Sequence, residues 1–443
     1  MVSTARQSSM EQFAKRRQEL MNILSDGAII IAAGHDVPRN NDVDYEFRQQ
    51  SSFWYLTGFD EPDAVAVLRP GNPEPYALFV RPYDPKFEIW VGFRVGVEGA
   101  VERLGADVAY SIEDLDEELP QLLENVETVY YSLGSDEPLD RRVSDLIRRR
   151  RAGAQRGGNP LLSIEDPKLV IDQMRLIKSG EEIAALQQAI EVTARGFEAA
   201  MRATRPGMYE YQIQAQLEAE FRRLGSPRNG YLSIVASGPN SCILHYIRNR
   251  AQMNDGDLLL IDAGAEVDYY TADITRTWPV NGRFSPEQRA VYDVVLEAQR
   301  QAIDIIGPEV RLDDVHQAAL RVLVQGLVDL RVLEGEVDGL IEQKAHQPYY
   351  MHGTSHWLGL DVHDAGKYWE GETSVALRES MVFTVEPGLY FGTQATESPA
   401  ALKGIGIRIE DNVLVTAIGH RVLSVAIPSK VEEIEALVGS ITL

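Results

Sequence analysis

Apolar positions along the chain follow strand and helix spacings in alternation through the first third, then settle into long helical stripes. Met10–Leu24 reads as a helix and Ala28–Ala33 as a short buried strand ending at Gly34. Asp63–Leu68 and Tyr76–Val80 read as strands flanking the turn Pro70-Gly71-Asn72-Pro73. Leu115–Leu123 and Asp140–Arg150 follow a helical period, with the strand Val129–Leu133 between them. Together these predict a small α/β domain. Arg148–Arg151 places four arginines at a helix end, where a solvated last turn complementing the helix dipole accounts for them better than an anion site. Ala152–Asn159, rich in Gly, Ala and polar residues, reads as the start of a linker.

Beyond it, Ser179 and Glu182 form the pattern S-x-x-E that caps a helix, and Ile183, Leu186, Ile190 and Phe197 follow at helical spacing. Pro206-Gly207 breaks the chain. Ile213, Leu217, Phe221 and Leu224 mark the next helix, which should stop at Gly225. Ser285-Pro286-Glu287-Gln288 starts another, with proline at the first helical position. These stripes are expected to be core. No internal repeat and no low-complexity tract stands out.

Composition narrows the class. At 443 residues the chain exceeds one typical core and calls for two domains. A hydrophobic share of 44% with 25% charged residues is that of a folded protein, which excludes general disorder. The formal net charge of -24 makes nucleic acid a poor partner, because phosphate binding needs Lys and Arg. The single cysteine, Cys242, excludes an intrachain disulfide and a cysteine metal cluster. Met1–Leu20 has no apolar core of the secretory type, and runs such as Ala28–Ala33 and Leu258–Ile261 are far shorter than a membrane span. A cytoplasmic protein with no membrane partner is therefore expected.

The candidate chemistry lies in five segments. Leu258–Asp262 and Tyr269–Thr277 read as strands joined by a short link. If the hairpin folds symmetrically about Val267-Asp268, Asp262 sits directly opposite Asp273, with Cβ atoms about 4.5–5.5 Å apart. Two carboxylates that close need a shared proton or a cation. The alternative is a solvated surface hairpin. Against it, Asp262 ends the apolar run Leu258-Leu259-Leu260-Ile261 and Asp273 lies between Ala272 and Ile274, yet spacing alone does not choose. In His352-Gly353-Thr354-Ser355-His356-Trp357-Leu358-Gly359-Leu360-Asp361-Val362-His363-Asp364, three of the eight histidines cluster. The glycines argue against a regular helix, and H-E-x-x-H is absent. His35, His316, His346 and His420 lack such company and are expected to be structural. Glu386 ends the apolar strand Met381–Val385, and Glu410 ends Gly404–Ile409, where Arg408 and Glu410 share a face by strand alternation. Two Asp, two Glu and one histidine of the cluster carry about the charge and donor types for two divalent cations, with Mn²⁺ suited and Co²⁺ or Zn²⁺ possible. Two such ions roughly 3.5–4 Å apart can activate water between them, which is hydrolase chemistry.

At this point the residues resemble a known family. Ile261-Asp262-Ala263-Gly264, Ala272-Asp273-Ile274-Thr275-Arg276-Thr277, the His352–Asp364 stretch, Thr384-Val385-Glu386-Pro387-Gly388 and Ile407-Arg408-Ile409-Glu410-Asp411 look like the pita-bread metallopeptidases. The resemblance implies an α/β (α+β) protein, with a small creatinase-like N-terminal domain over 1–172 that makes oligomer contacts. A pita-bread catalytic domain would then span 173–443. It implies metal ligands at Asp262, Asp273, His356, Glu386 and Glu410, with Asp273 and Glu410 bridging. His245, in Leu244-His245-Tyr246, would be a substrate-side histidine, and His352 and His363 would line the pocket. Glu386 would shuttle the proton and Arg408 would orient a ligand carboxylate.

Within the family the chain is most similar to the aminopeptidase P type. Arg48-Gln49-Gln50-Ser51-Ser52-Phe53-Trp54-Tyr55-Leu56-Thr57-Gly58-Phe59 and Glu88-Ile89-Trp90, with Gly92 and Arg94, carry the likeness in the N-terminal part. This implies removal of an N-terminal residue before proline, from peptides with proline in second position. It also implies a homo-oligomer, dimer or tetramer, in which Trp90 closes a neighbouring subunit's pocket. Such an enzyme needs a pocket shaped for the proline ring, because a proline nitrogen has no N–H and its φ is fixed. Prolidase, which cuts the dipeptide, is the nearest alternative. A metal-free pita-bread scaffold is a more remote one, since no ligand is missing. Organophosphate ester hydrolysis would be a side activity.

Overall fold

The computed structural model describes residues 2–154 and 163–440. Its contacts divide the chain into two compact units, Met1–Asp172 and Gln173–Leu443.

Helix α1 (Val2–Ile23) opens the first unit and leads into β1 (Gly27–Ala32). Then come α2 (Ser51–Thr57), β2 (Val65–Leu68), β3 (Tyr76–Val80), α3 (Pro85–Val91), α4 (Gly96–Leu104), β4 (Val108–Ser111), α5 (Leu115–Leu122), β5 (Thr128–Tyr130), α6 (Glu137–Ala154) and β6 (Ser163–Glu165). The six strands form one mixed sheet in the order β4-β3-β2-β1-β5-β6. A strand at the middle of a covered sheet must be apolar on both faces, and Ala28, Ile29, Ile30 and Ile31 of β1 are all buried. Val67, Phe79, Leu119, Leu123 and Val143 complete this core with Ile30.

Three expectations need adjusting. α1 starts well before Met10. α6 runs from Glu137 through Ala154, so the helix takes in the start of the expected linker, and residues 155–159 of that linker lie outside the described ones. β5 ends at Tyr130, before the expected Leu133. Within the arginine run, Arg148 pairs with Asp145 at 2.7 Å and Arg150 donates to Leu123 O at 2.5 Å, which fits the structural reading. α3 buries none of its residues: Phe87, Ile89 and Trp90 are exposed, Trp90 at 85%.

The second unit begins within α7 (Lys168–Leu176) and continues with α8 (Gly180–Ala203) and α9 (Glu210–Arg223). The capping box at α8 is present: Glu182 N donates to Ser179 Oγ at 3.3 Å, and Ser179 N donates to Glu182 Oε2 at 3.0 Å. Leu186, Ile190 and Phe197 are buried from α8, and Ile213, Leu217 and Phe221 from α9. Leu224 departs from the expected stripe, because α9 ends at Arg223 and the capping Leu224 is exposed. β7 (Ile234–Ser237), β8 (Leu258–Ala263), β9 (Ala265–Val267), β10 (Tyr270–Thr271) and β11 (Ile274–Pro279) follow. Of these, β7, β8 and β11 form one sheet. Next come α10 (Pro286–Asp304), capped by Ser285, and α11 (Leu312–Asp329). The last strands are β12 (Val382–Val385), β13 (Gly388–Tyr390), β14 (Gly406–Arg408), β15 (Asp411–Thr416) and β16 (Gly419–Val422), ahead of α12 (Val431–Leu437).

The hairpin register differs from expectation. Val267 pairs with Tyr270, so the turn is Asp268-Tyr269, with φ values of 47° and 68°. Two left-handed residues make the tight turn whose twist suits a hairpin. Asp262 consequently faces Thr275 rather than Asp273. Moving the turn by one residue moves the pairing by two, so side-chain alternation survives and both aspartates keep the same face.

Candidate metal centre

The first wall is the β8–β11 hairpin. With the register displaced, Asp262 and Asp273 are diagonal neighbours, a relation that brings side chains within reach rather than into direct opposition. Gly264 lets the two chains approach between them: a Cβ there would lie 1.7 Å from Ala272 O. Tyr231 spans the aspartates, its hydroxyl 2.5 Å from Asp262 Oδ1 and 2.5 Å from Asp273 Oδ1. One phenolic proton cannot serve two carboxylates at once. Asn412 holds the backbone of Asp273, accepting from its N–H at 3.1 Å and donating to its carbonyl at 2.5 Å.

The second wall comes from β12–β15. Val385 pairs with Asp411 on one side of the Glu386–Pro387 break and Gly388 pairs with Arg408 on the other, so Glu386 and Glu410 occupy opposed positions between them. Thr275 Oγ1 donates to Glu410 Oε2 at 2.6 Å. Arg276, fully buried, donates to Glu410 O at 2.6 Å and pairs with Asp411 at 2.7 Å, which pins the strand carrying Glu410. The histidine segment lies antiparallel to β12: Thr384 N donates to His356 O at 3.0 Å and Glu386 N to Thr354 O at 2.8 Å. His356 and Glu386 thereby share a face, Nε2 to Oε1 at 3.4 Å, and Asp273 Oδ2 is 3.1 Å from the same nitrogen. His356 Nδ1 lies 3.1 Å from Trp357 O. A carbonyl only accepts, so the proton sits on Nδ1 and Nε2 is turned to the carboxylates, the arrangement typical of a ligating imidazole.

Asp262, Asp273, His356, Glu386 and Glu410, together with His245, His352, His363 and Arg408, all line one cavity of about 290 Å³. One ligand atom from each of Asp273, His356 and Glu410 lies within 4.8 Å of the other two. His245 and His363 stand exposed at the cavity's edge, while His352 is more enclosed. His352 Nδ1 is 2.8 Å from Gly353 O and Nε2 is 2.8 Å from Tyr390 OH, so the ring donates through Nδ1 and accepts through Nε2. Arg408 reaches Asp262 Oδ2 at 2.6 Å, Thr275 Oγ1 at 3.0 Å and Tyr390 OH at 3.1 Å.

The electrostatics are those of too much negative charge with too few cations. Burial pushes Asp262 up to about 6, with Asp273 adding to it and Arg408 opposing. Burial pushes Glu386 up to about 7 against the pull of His356 and Arg408. Glu410 rises well above the usual carboxylate range, by burial and then by the charges of Asp273, Glu386 and Asp262. Burial opposes charge on His356, yet its hydrogen bond to Asp273 and the charge of Glu386 hold it up to about 9. Burial, then the charge of Arg408, depresses His352 to about 3, so it is neutral. The upward shifts of Asp262, Glu386, Glu410 and His356 let protons stand where a cation would otherwise balance charge. Oxygen donors with one oriented imidazole suit hard and borderline divalent ions, so the residues fit a metal centre.

Tyr231, Tyr390 and Asn412 join this site without any signal in the local pattern of the sequence. His35, His316 and His420 have the structural contacts expected of them: His35 is flanked by Asp63 and Asp136 at 2.6 and 2.7 Å, and His316 Nδ1 is 2.8 Å from Thr354 Oγ1. His420 Nδ1 lies 3.0 Å from Ile306 O.

Comparison with known proteins agrees with this geometry. Residues 184–417 match the model of metallopeptidase family M24, and residues 13–130 match the aminopeptidase P N-terminal domain. The chain is 44% identical to the Xaa-Pro aminopeptidase of Escherichia coli K12, across 97% of this chain and 98% of that protein. It is 33% identical to Xaa-Pro aminopeptidase 3 of Homo sapiens, across 97% and 86%. Among solved structures, aminopeptidase PepP of Pseudomonas aeruginosa superposes with a TM-score of 0.94 at 46% identity, covering 97% of each chain. Zinc-substituted aminopeptidase P of Escherichia coli, in complex with product, gives 0.92 at 43% identity, covering 97% and 98%. A cluster of carboxylates and histidines on a fold shared over nearly the whole length leaves one assignment: the chain belongs to the aminopeptidase P branch of metallopeptidase family M24.

Proposed function

We propose that this chain is a metal-dependent exopeptidase that hydrolyses the N-terminal Xaa-Pro peptide bond. The observation that carries the reading is the convergence of four carboxylates, an oriented imidazole and three further histidines on one cavity, in a chain similar end to end to Xaa-Pro aminopeptidases. Asp262, Asp273, His356, Glu386 and Glu410 would hold two divalent ions. Mn²⁺ suits this oxygen-rich set, and Co²⁺ or Zn²⁺ would fit it. Such ions would supply Lewis acidity toward water and the scissile carbonyl.

The protein's own groups do the rest. Glu386, lining the cavity with its Oε1 3.4 Å from His356 Nε2, would take a proton from the attacking water and return it to the leaving proline nitrogen. Its Oε2 lies 3.8 Å from His352 Nδ1, and the neutral imidazole of His352 would contact the scissile carbonyl. Arg408 fixes Asp262 and keeps one of its oxygens from turning away. His245 and His363, at the cavity's edge, would flank the proline ring and the main chain of the peptide.

The exposed apolar face of α3, with Ile89 at 81% and Trp90 at 85%, supports a homo-oligomer, dimer or tetramer, in which Trp90 approaches a neighbouring subunit. No helix among the described residues is long and apolar enough to cross a membrane. With a single cysteine, a cytoplasmic location is the reading we favour. Similarity to Xaa-Pro aminopeptidases over nearly their full length does not favour prolidase, and a scaffold would not need the ligand set intact.

The test is to incubate purified protein, with Mn²⁺ and then with chelator, against an X-Pro-Y tripeptide and an X-Pro dipeptide. Chelator-sensitive release of the first residue from the tripeptide, with the dipeptide cut poorly, is expected. Preference for the dipeptide would mean prolidase, and no cleavage of either would sink the peptidase reading.

A further inference from the structure

Beneath the histidine segment lies a buried charge cluster that the chemistry above does not use. Asp364 Oδ1 is 2.5 Å from Arg175 Nη2, and its Oδ2 is 2.9 Å from Lys178 Nζ. The same Arg175 nitrogen is 2.7 Å from Asp361 Oδ2. Arg175, Lys178 and Asp364 are all buried. Buried ion pairs give little stability over apolar residues of the same volume, because desolvation offsets their attraction. Two cations on one carboxylate are therefore a poor way simply to hold a fold, and their location gives a better account of them.

Asp364 follows His363 directly. Its N–H donates at 2.9 Å to Trp357 O, the carbonyl that also orients His356. Thr271 N donates at 3.0 Å to Gly359 O, tying the loop to β10. Gly359 packs so closely on Asp364 that a Cβ there would lie 2.2 Å from Oδ2. The loop from Trp357 to Asp364 is thus closed on itself and clamped from below by Arg175 and Lys178. His363 has no such hold of its own. Its exposed ring has no hydrogen bond recorded among the described residues and meets His356 edge to face, with centroids 4.4 Å apart. Where the ring stands is set by the backbone next to it, and that backbone ends on Asp364.

We propose that Lys178, Arg175 and Asp364 are positioning residues that hold His363 at the substrate side of the metal cavity. The proposal rests on the peptidase reading, but its first test does not need turnover. In zinc-loaded protein, the imidazole C–H signal of His363 is identified by its loss in His363→Ala. Lys178→Met should shift or broaden that signal, and Lys178→Arg should restore it. Zinc stoichiometry should stay at the wild-type value in all three.

The second test is a double-mutant cycle on an X-Pro-Y tripeptide. Lys178→Met should lower kcat/KM about tenfold, less than the roughly hundredfold that a 1 Å misplacement can cost. In the His363→Ala background the same change should have almost no further effect. A loss that adds in full to that of His363→Ala would assign the cluster a merely structural role and overturn the proposal. So would an unchanged His363 signal in Lys178→Met, or loss of zinc, which would place the effect at His356 instead. If Lys178→Met fails to fold, Asp364→Asn carries the same tests. Failure of wild-type protein to cleave any X-Pro-Y peptide would count against the peptidase reading alone, leaving the magnetic resonance result to decide this one.

Discussion

At the scale of single residues, the site is a problem in charge. Asp262, Asp273, Glu386 and Glu410 share a cavity with the guanidinium of Arg408 and the imidazole of His356, which is held up to about 9. Removing charge from Asp273 or Glu410 without changing shape should therefore abolish turnover and leave the fold intact. Asp273→Asn and Glu410→Gln are expected to keep a wild-type circular dichroism spectrum while losing stoichiometric metal and Xaa-Pro cleavage. Full activity in either would sink the dinuclear assignment. The acids, the histidine cluster and Arg408 were legible in sequence because ionisable residues at the ends of apolar strands stand out against their surroundings. Tyr231 was not, because a tyrosine in a polar loop is unremarkable until folding sets its hydroxyl between two aspartates 2.5 Å away on either side.

At the scale of elements, capping chemistry and apolar period located the helices, and the boundaries moved where tertiary packing extended them. Ser179 and Ser285 announce α8 and α10 because their side chains satisfy backbone N–H groups that would otherwise have no partner. The β8–β11 turn was misplaced by one residue, because Asp268 and Tyr269 are not an obvious pair for left-handed backbone. The same strain recurs past the end of α11, where Arg331 has φ 58° and an exposed side chain. Left-handed backbone costs a non-glycine residue about 1–2 kcal/mol, and glycine returns roughly 0.4–1 kcal/mol of that through the unfolded chain. Arg331→Gly should therefore stabilise the second unit by about 0.5 kcal/mol. Chemical denaturation that showed a loss of stability would contradict this account of the helix end.

At the scale of the whole molecule, the metal centre should couple stability to pH. In the metal-free protein burial raises the carboxylates of Asp262 and Glu386 to about 6 and about 7, and burial with the neighbouring carboxylates raises Glu410 well above its ordinary range. A group whose pKa is raised by folding contributes stability that is present at low pH and lost as pH rises through the folded value. The chelated protein should therefore melt at a lower temperature at pH 8 than at pH 5.5. Asp364, held below its ordinary 3.8 chiefly by Lys178 and Arg175 against the cost of burial, acts in the opposite sense, but only under more acidic conditions. With metal bound, ions replace the protons, and acid should release them and reverse the slope. Melting curves with and without chelator across this range would test the sign; a chelated protein that is most stable at pH 8 would refute it.

The sequence by itself determined the two-part organisation and the α/β character of the first unit. It also determined the helical stripes of the second and the inventory of acids and histidines, since periodicity and charge are local properties of a chain. Resemblance to a family then turned that inventory into an expected ligand set. Only the tertiary structure decided the register of the aspartate hairpin, the opposition of Glu386 to Glu410 across the Pro387 break and the tautomers of His352 and His356. It alone brought Tyr231, Tyr390, Arg276 and Asn412 to the site, and Lys178 and Arg175 to the loop of His363. Each of these depends on which distant backbone a side chain meets, and strand pairing and buried ion contacts between residues more than a hundred positions apart leave no periodic trace along the chain.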